Sequence, residues 1–217
     1  MIFISANEPN DRRTMRNPML VLILSFLSIF AYGQTNFIRV PLAKGASIEV
    51  PINWVVISQN NRTNIDAYVE ANGYKLTESN LPFAANLYDD NGKTVALVNS
   101  RFYPKNPFTQ QMVSTLKKED IAVIDKELRS ATEKLLPSMG GKLVKWKSTQ
   151  LIKTNGLFVL KHGHIAVIPP SADTIHEYRY RVLASPRSFT VTISYKQSYA
   201  SLIEPIANKM ASSIMLE

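Results

Sequence analysis

Two histidines of the sequence have a spacing that could hold a metal ion. His162 and His164 are separated by Gly163, so on a β-strand both imidazoles would face the same side. A zinc-type site needs at least three suitable protein ligands, and no carboxylate lies close to this pair in sequence. Lys145 and Lys147, which a predicted hairpin places beside the pair, would also repel a dication. The sequence therefore predicts no metal site.

The other reactive groups of the chain form no recognisable catalytic pattern. The chain has no cysteine, which excludes a catalytic thiol, a thiolate metal site and a disulfide framework. The segment Asp89-Asp90-Asn91-Gly92 is typical of a tight turn and lacks the later glutamate of a calcium loop. The sequence contains no Gly-x-Ser-x-Gly elbow, no P-loop and no dinucleotide fingerprint. These observations favour a protein that is not an enzyme and binds no cofactor.

The histidines lie in a predicted β-hairpin whose register assigns its two faces. Asn155 and Gly156 favour a two-residue turn, and pairing outward from that turn places Trp146 opposite Ile165 on the core face. The opposite face then carries a basic stripe. Together with two arginines of the next strand, this stripe consists of Lys145, Lys147, His162, His164, Arg179 and Arg181. It is a candidate surface for contact with an anionic partner, and an ordinary solvated sheet face is the alternative.

The rest of the chain is predicted to form β-hairpins and helices. Predicted strands cover residues 46–50, 83–88, 94–102, 178–184 and 189–195, and predicted helices cover 63–76, the region around 121–135 and a C-terminal segment. In that last helix, Leu202, Ile206 and Met210 are expected to face inward, after a capping box formed by Ser201 and Glu204. The order predicts an α+β domain with a central antiparallel sheet flanked by helices on both faces.

The beginning of the chain has the pattern of a secretory signal. Arginines precede an apolar run, 19–32, with small residues at Ala31 and Gly33. Such a run, about 14 residues at roughly 1.5 Å each, covers about two thirds of a membrane core of roughly 30 Å. We expect residues 1–33 to be a leader with a signal helix that is removed, and anchoring in the inner membrane by an uncleaved leader is the alternative. Met15 is an alternative start.

Residues 34–217 have the length of a single domain. The whole chain carries a formal net charge of +8, which suits an anionic partner such as an acidic protein or surface. Its basic residues are not interleaved with aromatic residues as in a nucleic-acid groove, so no nucleic acid is expected as a partner. We expect a monomer that is periplasmic or secreted and meets the membrane only through an uncleaved leader.

Two short motifs lie near the two ends of the predicted domain. A predicted strand closes on Pro51-Ile52-Asn53-Trp54, and the last helix ends in Met210-Ala211-Ser212-Ser213-Ile214. These motifs resemble the opening Pro-x-x-Trp and the terminal x-x-Ser-Ile of the PsbP-like superfamily, which includes the periplasmic DcrB-like proteins. The resemblance would cover nearly all of residues 46–217. It implies a central antiparallel sheet between helices and a role through protein or surface contacts, and no catalytic residue comes with it.

These observations predict an exported, non-enzymatic binding or accessory protein of the bacterial envelope. Its partner would be an envelope protein or an anionic surface. An immunity-type protein that neutralises a toxin is one alternative. A hydrolase with an unrecognised site is another, and it would need polar side chains that converge in a deep pocket.

Overall fold

The structure, a computed structural model, describes residues 35–43, 45–63, 80–169 and 173–216. Apart from Thr35, these residues belong to one compact unit, Asn36–Glu217. The predicted leader, 1–33, and most of the predicted helix over 63–76 lie outside the described residues. No described helix combines the length and the apolar character that a bilayer crossing requires.

The described residues include ten β-strands and three α-helices whose full ranges are described. The strands are β1 (Phe37–Ala43), β2 (Ala46–Pro51), β3 (Val55–Val56), β4 (Asn80–Tyr88), β5 (Thr94–Tyr103), β6 (Lys142–Thr154), β7 (Leu157–Val167), β8 (Thr174–Ala184), β9 (Arg187–Lys196) and β10 (Met215–Leu216). The helices are α1 (Gln110–Ser114), α2 (Lys118–Ser138) and α3 (Ala200–Ser212). Residues 59–63 are also helical, and a 3-10 turn covers Gln197–Tyr199.

The strands form two antiparallel sheets. Seven strands follow the order β3-β4-β5-β9-β8-β7-β6, and β1, β2 and β10 form a smaller sheet. The structure confirms the predicted α+β class, with an antiparallel sheet and flanking helices. The second sheet was not predicted, because β10 has only two residues and β1 contains Pro41, which interrupts the pattern of a strand.

The small sheet and α3 pack against one face of the seven-stranded sheet, which we call the core face. Ile48 of β2, Ile203 of α3 and Ile193 of β9 are all fully buried in the same hydrophobic cluster. The predicted alternation of β9 is confirmed, since Phe189 and Tyr195 are also buried on this side. We call the opposite face of the large sheet the polar face. It carries polar residues of β8 and β9, and α2 lies against its β6 margin.

Both predicted Asn-Gly turns are present. In the first, the side chain of Asp89 accepts hydrogen bonds from the backbone amides of Asn91 and Lys93, at 3.0 and 2.8 Å. In the second, Asn155 has a φ of 46° and Gly156 a φ of 79°, the left-handed conformation that a tight hairpin turn requires. Both predicted hairpins are therefore confirmed.

The helices bury faces that differ slightly from those predicted. In α3 the residues turned inward are Ile203, Ala207 and Met210, whereas Leu202 is 45% exposed. The predicted capping box at Ser201 is wrong. The 3-10 turn leads directly into α3, so the N-cap is Tyr199 and Ser201 lies inside the helix.

Candidate functional site

A β-bulge in β6 alters the predicted faces of the second hairpin. Near the turn the pairing follows the predicted register, but the register shifts between Lys147 and Gln150. The shift adds one residue to β6, so the residues from Lys147 to Lys145 change face, and a second shift between Lys145 and Leu143 reverses the change. Trp146 therefore pairs with His164 and not with Ile165.

The bulge divides the predicted basic stripe between the two faces of the sheet. Lys145 pairs with Ile165 and Lys147 with Gly163, so both lysines lie on the core face. Four of the six predicted residues remain together on the polar face: His162, His164, Arg179 and Arg181. The prediction of a continuous stripe was wrong for the lysines, because no feature of the sequence marked the inserted residue.

The two histidines are buried under an aromatic ring. His162 is 4% and His164 6% exposed, which corrects their prediction as a solvated strand surface. The indole of Trp146 stacks on both imidazoles, with centroid distances of 5.7 and 6.5 Å. Among the described residues, no three His, Cys, Asp or Glu side chains are grouped so that they could hold a metal ion.

Burial and neighbouring charge keep the histidines neutral. Burial lowers the pKa of His162 to about 4, and the positive charges of Arg179 and Arg181 act in the same direction. Burial also lowers the pKa of His164, although the carboxylate of Glu177, 3.8 Å away, partly opposes this. At neutral pH the positive charge of this region therefore resides on the arginines.

Glu177 supplies the negative charge beside these groups. Its carboxylate accepts a hydrogen bond from Arg179 Nε at 2.8 Å and one from Ser194 Oγ at 3.3 Å. Burial alone would raise the pKa of Glu177, but the charge of Arg179 and these hydrogen bonds hold it below its ordinary value. Glu177 is thus ionised, and its charge is matched by that of Arg179.

Arg181, unlike Arg179, has no carboxylate partner among the described residues. Within the described residues it makes no hydrogen bond and no ion pair. In the sheet it pairs with Thr190 of β9, which in turn pairs with Arg101 of β5. We call Arg101, Arg179 and Arg181 the arginine row. A guanidinium group on this face of the sheet could bind a carboxylate or a phosphate through paired hydrogen bonds.

On the core face, the displaced Lys147 meets groups that were not predicted as site residues. Its Nζ donates a hydrogen bond to Tyr178 Oη and lies 4.3 Å from the centroid of the Tyr178 ring. The Nζ of Lys161 lies 5.3 Å from the same centroid. We call Lys147, Lys161 and Tyr178 the lysine–tyrosine cluster. Its position depends on the bulge, which explains why the spacing of the sequence did not reveal it.

No protein-family model and no curated protein matches the chain. Among solved structures, cyanobacterial PsbP (CyanoP) from Synechocystis has 10% identity and a TM-score of 0.53, covering 86% of this chain and 96% of its own. LpqN of Mycobacterium tuberculosis, described as involved in cell envelope biogenesis, has 11% identity and a TM-score of 0.43, covering 83% and 90%. PA94 of Pseudomonas aeruginosa, of unknown function, has 12% identity and a TM-score of 0.39, covering 85% and 99%.

At 10% identity the match to CyanoP is a match of folds. It agrees with the antiparallel sheet and flanking helices described above, and with the resemblance carried by the Pro-x-x-Trp segment and the terminal helix. The chain has the PsbP-like fold.

Proposed function

We propose that this protein is an exported accessory protein of the bacterial envelope that recognises an anionic group of a partner without covalent chemistry. The arginine row on the polar face is the observation that carries this proposal. The signal-like pattern of residues 1–33 supports the exported location, and the excess of basic over acidic residues in the chain supports an anionic partner.

The charges of the polar face favour an anion. Arg179 is matched by Glu177, so a bound anion would be held chiefly by Arg181, which has no partner among the described residues. The neighbouring His162 is neutral at pH 7, so the positive charge at this position comes from the arginines. Because a guanidinium presents several donors in one plane, this position suits a carboxylate or phosphate group.

The described residues also support a role without covalent chemistry. His162 and His164 are covered by Trp146, so neither imidazole is open to a substrate as a general base would be. A groove of about 530 Å³ beside β3 is lined by apolar residues, two asparagines, a tyrosine and Ser58. No histidine or carboxylate is among those lining residues, so Ser58 has no base there to activate it.

The arginine row is tested by affinity capture from a detergent-solubilised envelope fraction, with the tagged full chain as bait. We expect a partner to be captured at low salt and released at about 1 M salt, where the Debye length is about 3 Å. Arg181→Glu should abolish the capture. Arg129→Glu on the exposed side of α2 makes the same charge change elsewhere and should leave it intact. Equal capture by the Arg181→Glu variant, or capture that survives high salt, would refute the recognition of an anion at this row.

The exported location has its own test. We expect the protein recovered from the envelope to begin at or near Gln34 when its N-terminus is sequenced, since the leader pattern ends at Gly33. A cytosolic protein that keeps residues 19–32 would contradict the proposal. A membrane-bound protein that keeps them would instead indicate anchoring by the leader.

A further inference from the structure

We propose that the lysine–tyrosine cluster is a second anion site, separate from the arginine row, and that it binds the dianion of a phosphate monoester. Lys147 and Lys161 lie on the core face of the sheet, whereas the arginine row lies on the polar face. The two sites therefore cannot share one ligand group, and this inference does not depend on the proposed function.

The two ammonium groups converge because both approach one ring. Lys147 extends from β6 and Lys161 from β7, and their Nζ atoms lie 4.3 and 5.3 Å from the centroid of Tyr178 in β8. The Nζ of Lys161 is also 5.6 Å from the ring centroid of Tyr180. Cation–π contacts restrict both lysine side chains before any ligand arrives. Less side-chain entropy is then lost on binding than with two freely moving lysines.

Gly163 makes this arrangement possible. It pairs with Lys147 on one side and with Tyr178 on the other, so it lies between them in the sheet. A Cβ atom at Gly163 would lie 2.9 Å from Cδ1 of Tyr178 and 2.6 Å from the carbonyl oxygen of Glu177. The missing side chain thus leaves the space in which the Tyr178 ring crosses β7 towards Lys147.

Lys147 and Lys161 form no ion pair with a carboxylate of the described residues. Lys145, on the same face, is exposed and adds a third ammonium group nearby. Two ammonium groups match the double negative charge of a phosphate monoester better than the single charge of a carboxylate, and ammonium groups bind phosphate oxygens as point charges.

Methyl phosphate is a suitable probe because a phosphate monoester is a dianion at about pH 8. We expect saturable shifts of the amide NMR signals of Gly163 and Tyr178 in the full chain, and much weaker binding of methyl sulfate, which has the same shape but one charge. The double variant Lys147→Gln, Lys161→Gln should bind methyl phosphate at least about tenfold more weakly, because it lacks two charged hydrogen-bond donors.

Lys153→Gln is the matched control. Lys153 also lies on β6 with its Nζ over an aromatic ring, 5.4 Å from the centroid of Phe158, but on the polar face. This variant should bind methyl phosphate as the wild type does. Equal affinities of the double variant and the wild type would overturn the proposal. So would shifts that do not saturate or that methyl sulfate reproduces at equal concentration.

The source of the phosphate group is distinguished with vesicles. Phosphatidic acid presents a phosphate monoester headgroup, so we test co-sedimentation with phosphatidylcholine vesicles that contain it. Binding that the double variant loses and the Lys153→Gln variant keeps would support the site and assign a lipid ligand. Saturable binding of methyl phosphate without co-sedimentation would support the site and assign a soluble phosphate ester.

Discussion

Asp125 of α2 accepts a hydrogen bond from the indole Nε1 of Trp146 in β6, at 2.9 Å. The same carboxylate oxygen accepts the backbone amide of Thr149 at 2.5 Å, inside the bulge. Burial alone would raise the pKa of Asp125, but the hydrogen bonds from Thr149 and Trp146 outweigh it and lower the pKa. One charged group thus ties the helix to the bulged edge strand and holds the ring that covers the two histidines.

Replacement of Asp125 by alanine should weaken this attachment. Hydrogen bonds to a charged group contribute about 1.5–3 kcal/mol, so we expect Asp125→Ala to lower the free energy of unfolding by about 2 kcal/mol. Urea denaturation followed by tryptophan fluorescence measures the change. Glu133→Ala removes a carboxylate from the same helix, in an exposed pair with Arg129, and should cost no more than about 0.5 kcal/mol. Similar losses for both variants would contradict this role of Asp125.

The same carboxylate predicts a dependence on pH. The pKa of Asp125 is lower in the folded protein than its ordinary value of about 4. Its contribution is therefore fully present above that ordinary pKa and is lost as the pH falls through the lower pKa of the folded state. We expect the difference in unfolding free energy between wild type and Asp125→Ala to be constant near neutral pH and to shrink in acid. A difference that grows in acid would show that a titratable group other than Asp125 dominates this pH dependence.

Much of the sheet could be predicted because its signals are local. The Asn91-Gly92 and Asn155-Gly156 turns fix their hairpins, and the alternation of β9 identifies its buried side. Arg179 and Arg181 were placed correctly beside the histidines, since β7 and β8 pair without a register shift. A period of two therefore predicts the face of a residue correctly as long as the strand is regular.

The candidate site could not be predicted in full because one extra residue in β6 moves the neighbouring side chains to the opposite face of the sheet. The bulge between Lys147 and Gln150 moves Lys147 away from the histidines and towards Tyr178. Its position depends on a tertiary contact, the hydrogen bond from Thr149 to Asp125, which no local pattern reveals. Gly163 is the one sequence signal for the cluster, since an isolated glycine within a strand often marks a close approach.

Gly163→Ala tests that close approach. The added methyl group would lie less than 3.0 Å from Tyr178 and from the backbone of Glu177. We therefore expect overpacking to lower the free energy of unfolding by about 1–3 kcal/mol. At Gly141 a Cβ atom would lie 3.1 Å from its nearest neighbour, and Gly141→Ala should cost less. Chemical denaturation compares the two variants. A neutral Gly163→Ala substitution would show that the Tyr178 ring can move aside without cost.

Asn155 joins the second hairpin to the end of α3. Its Nδ2 donates hydrogen bonds to the carbonyl oxygens of Ser212 and Ile214, at 2.8 and 3.0 Å, and its φ of 46° is left-handed. Asn155→Gly keeps the backbone conformation and removes the amide, so we expect a loss of about 1 kcal/mol. Asn155→Ala adds backbone strain of about 1 kcal/mol and should cost roughly twice as much. Thermal or chemical unfolding measures both variants. Equal losses of unfolding free energy for Asn155→Gly and Asn155→Ala would mean that the left-handed conformation adds no strain to alanine.

His162 provides the most direct measurement of the environment of the polar face. Burial lowers its pKa to about 4, with Arg179 and Arg181 contributing, so its imidazole NMR signal should not titrate until the solution is strongly acidic. Arg181→Gln should move the midpoint towards the ordinary value of about 6.5, whereas Arg129→Gln should not.

The unfolded chain takes up a proton on His162 near pH 6.5, and the folded protein takes it up only near pH 4. The free energy of unfolding should therefore fall as the pH decreases through this interval, and His162→Gln should remove that part of the fall. A wild-type titration midpoint of His162 above pH 6 would contradict both expectations, because it would mean that the imidazole is solvated and that Trp146 does not cover it.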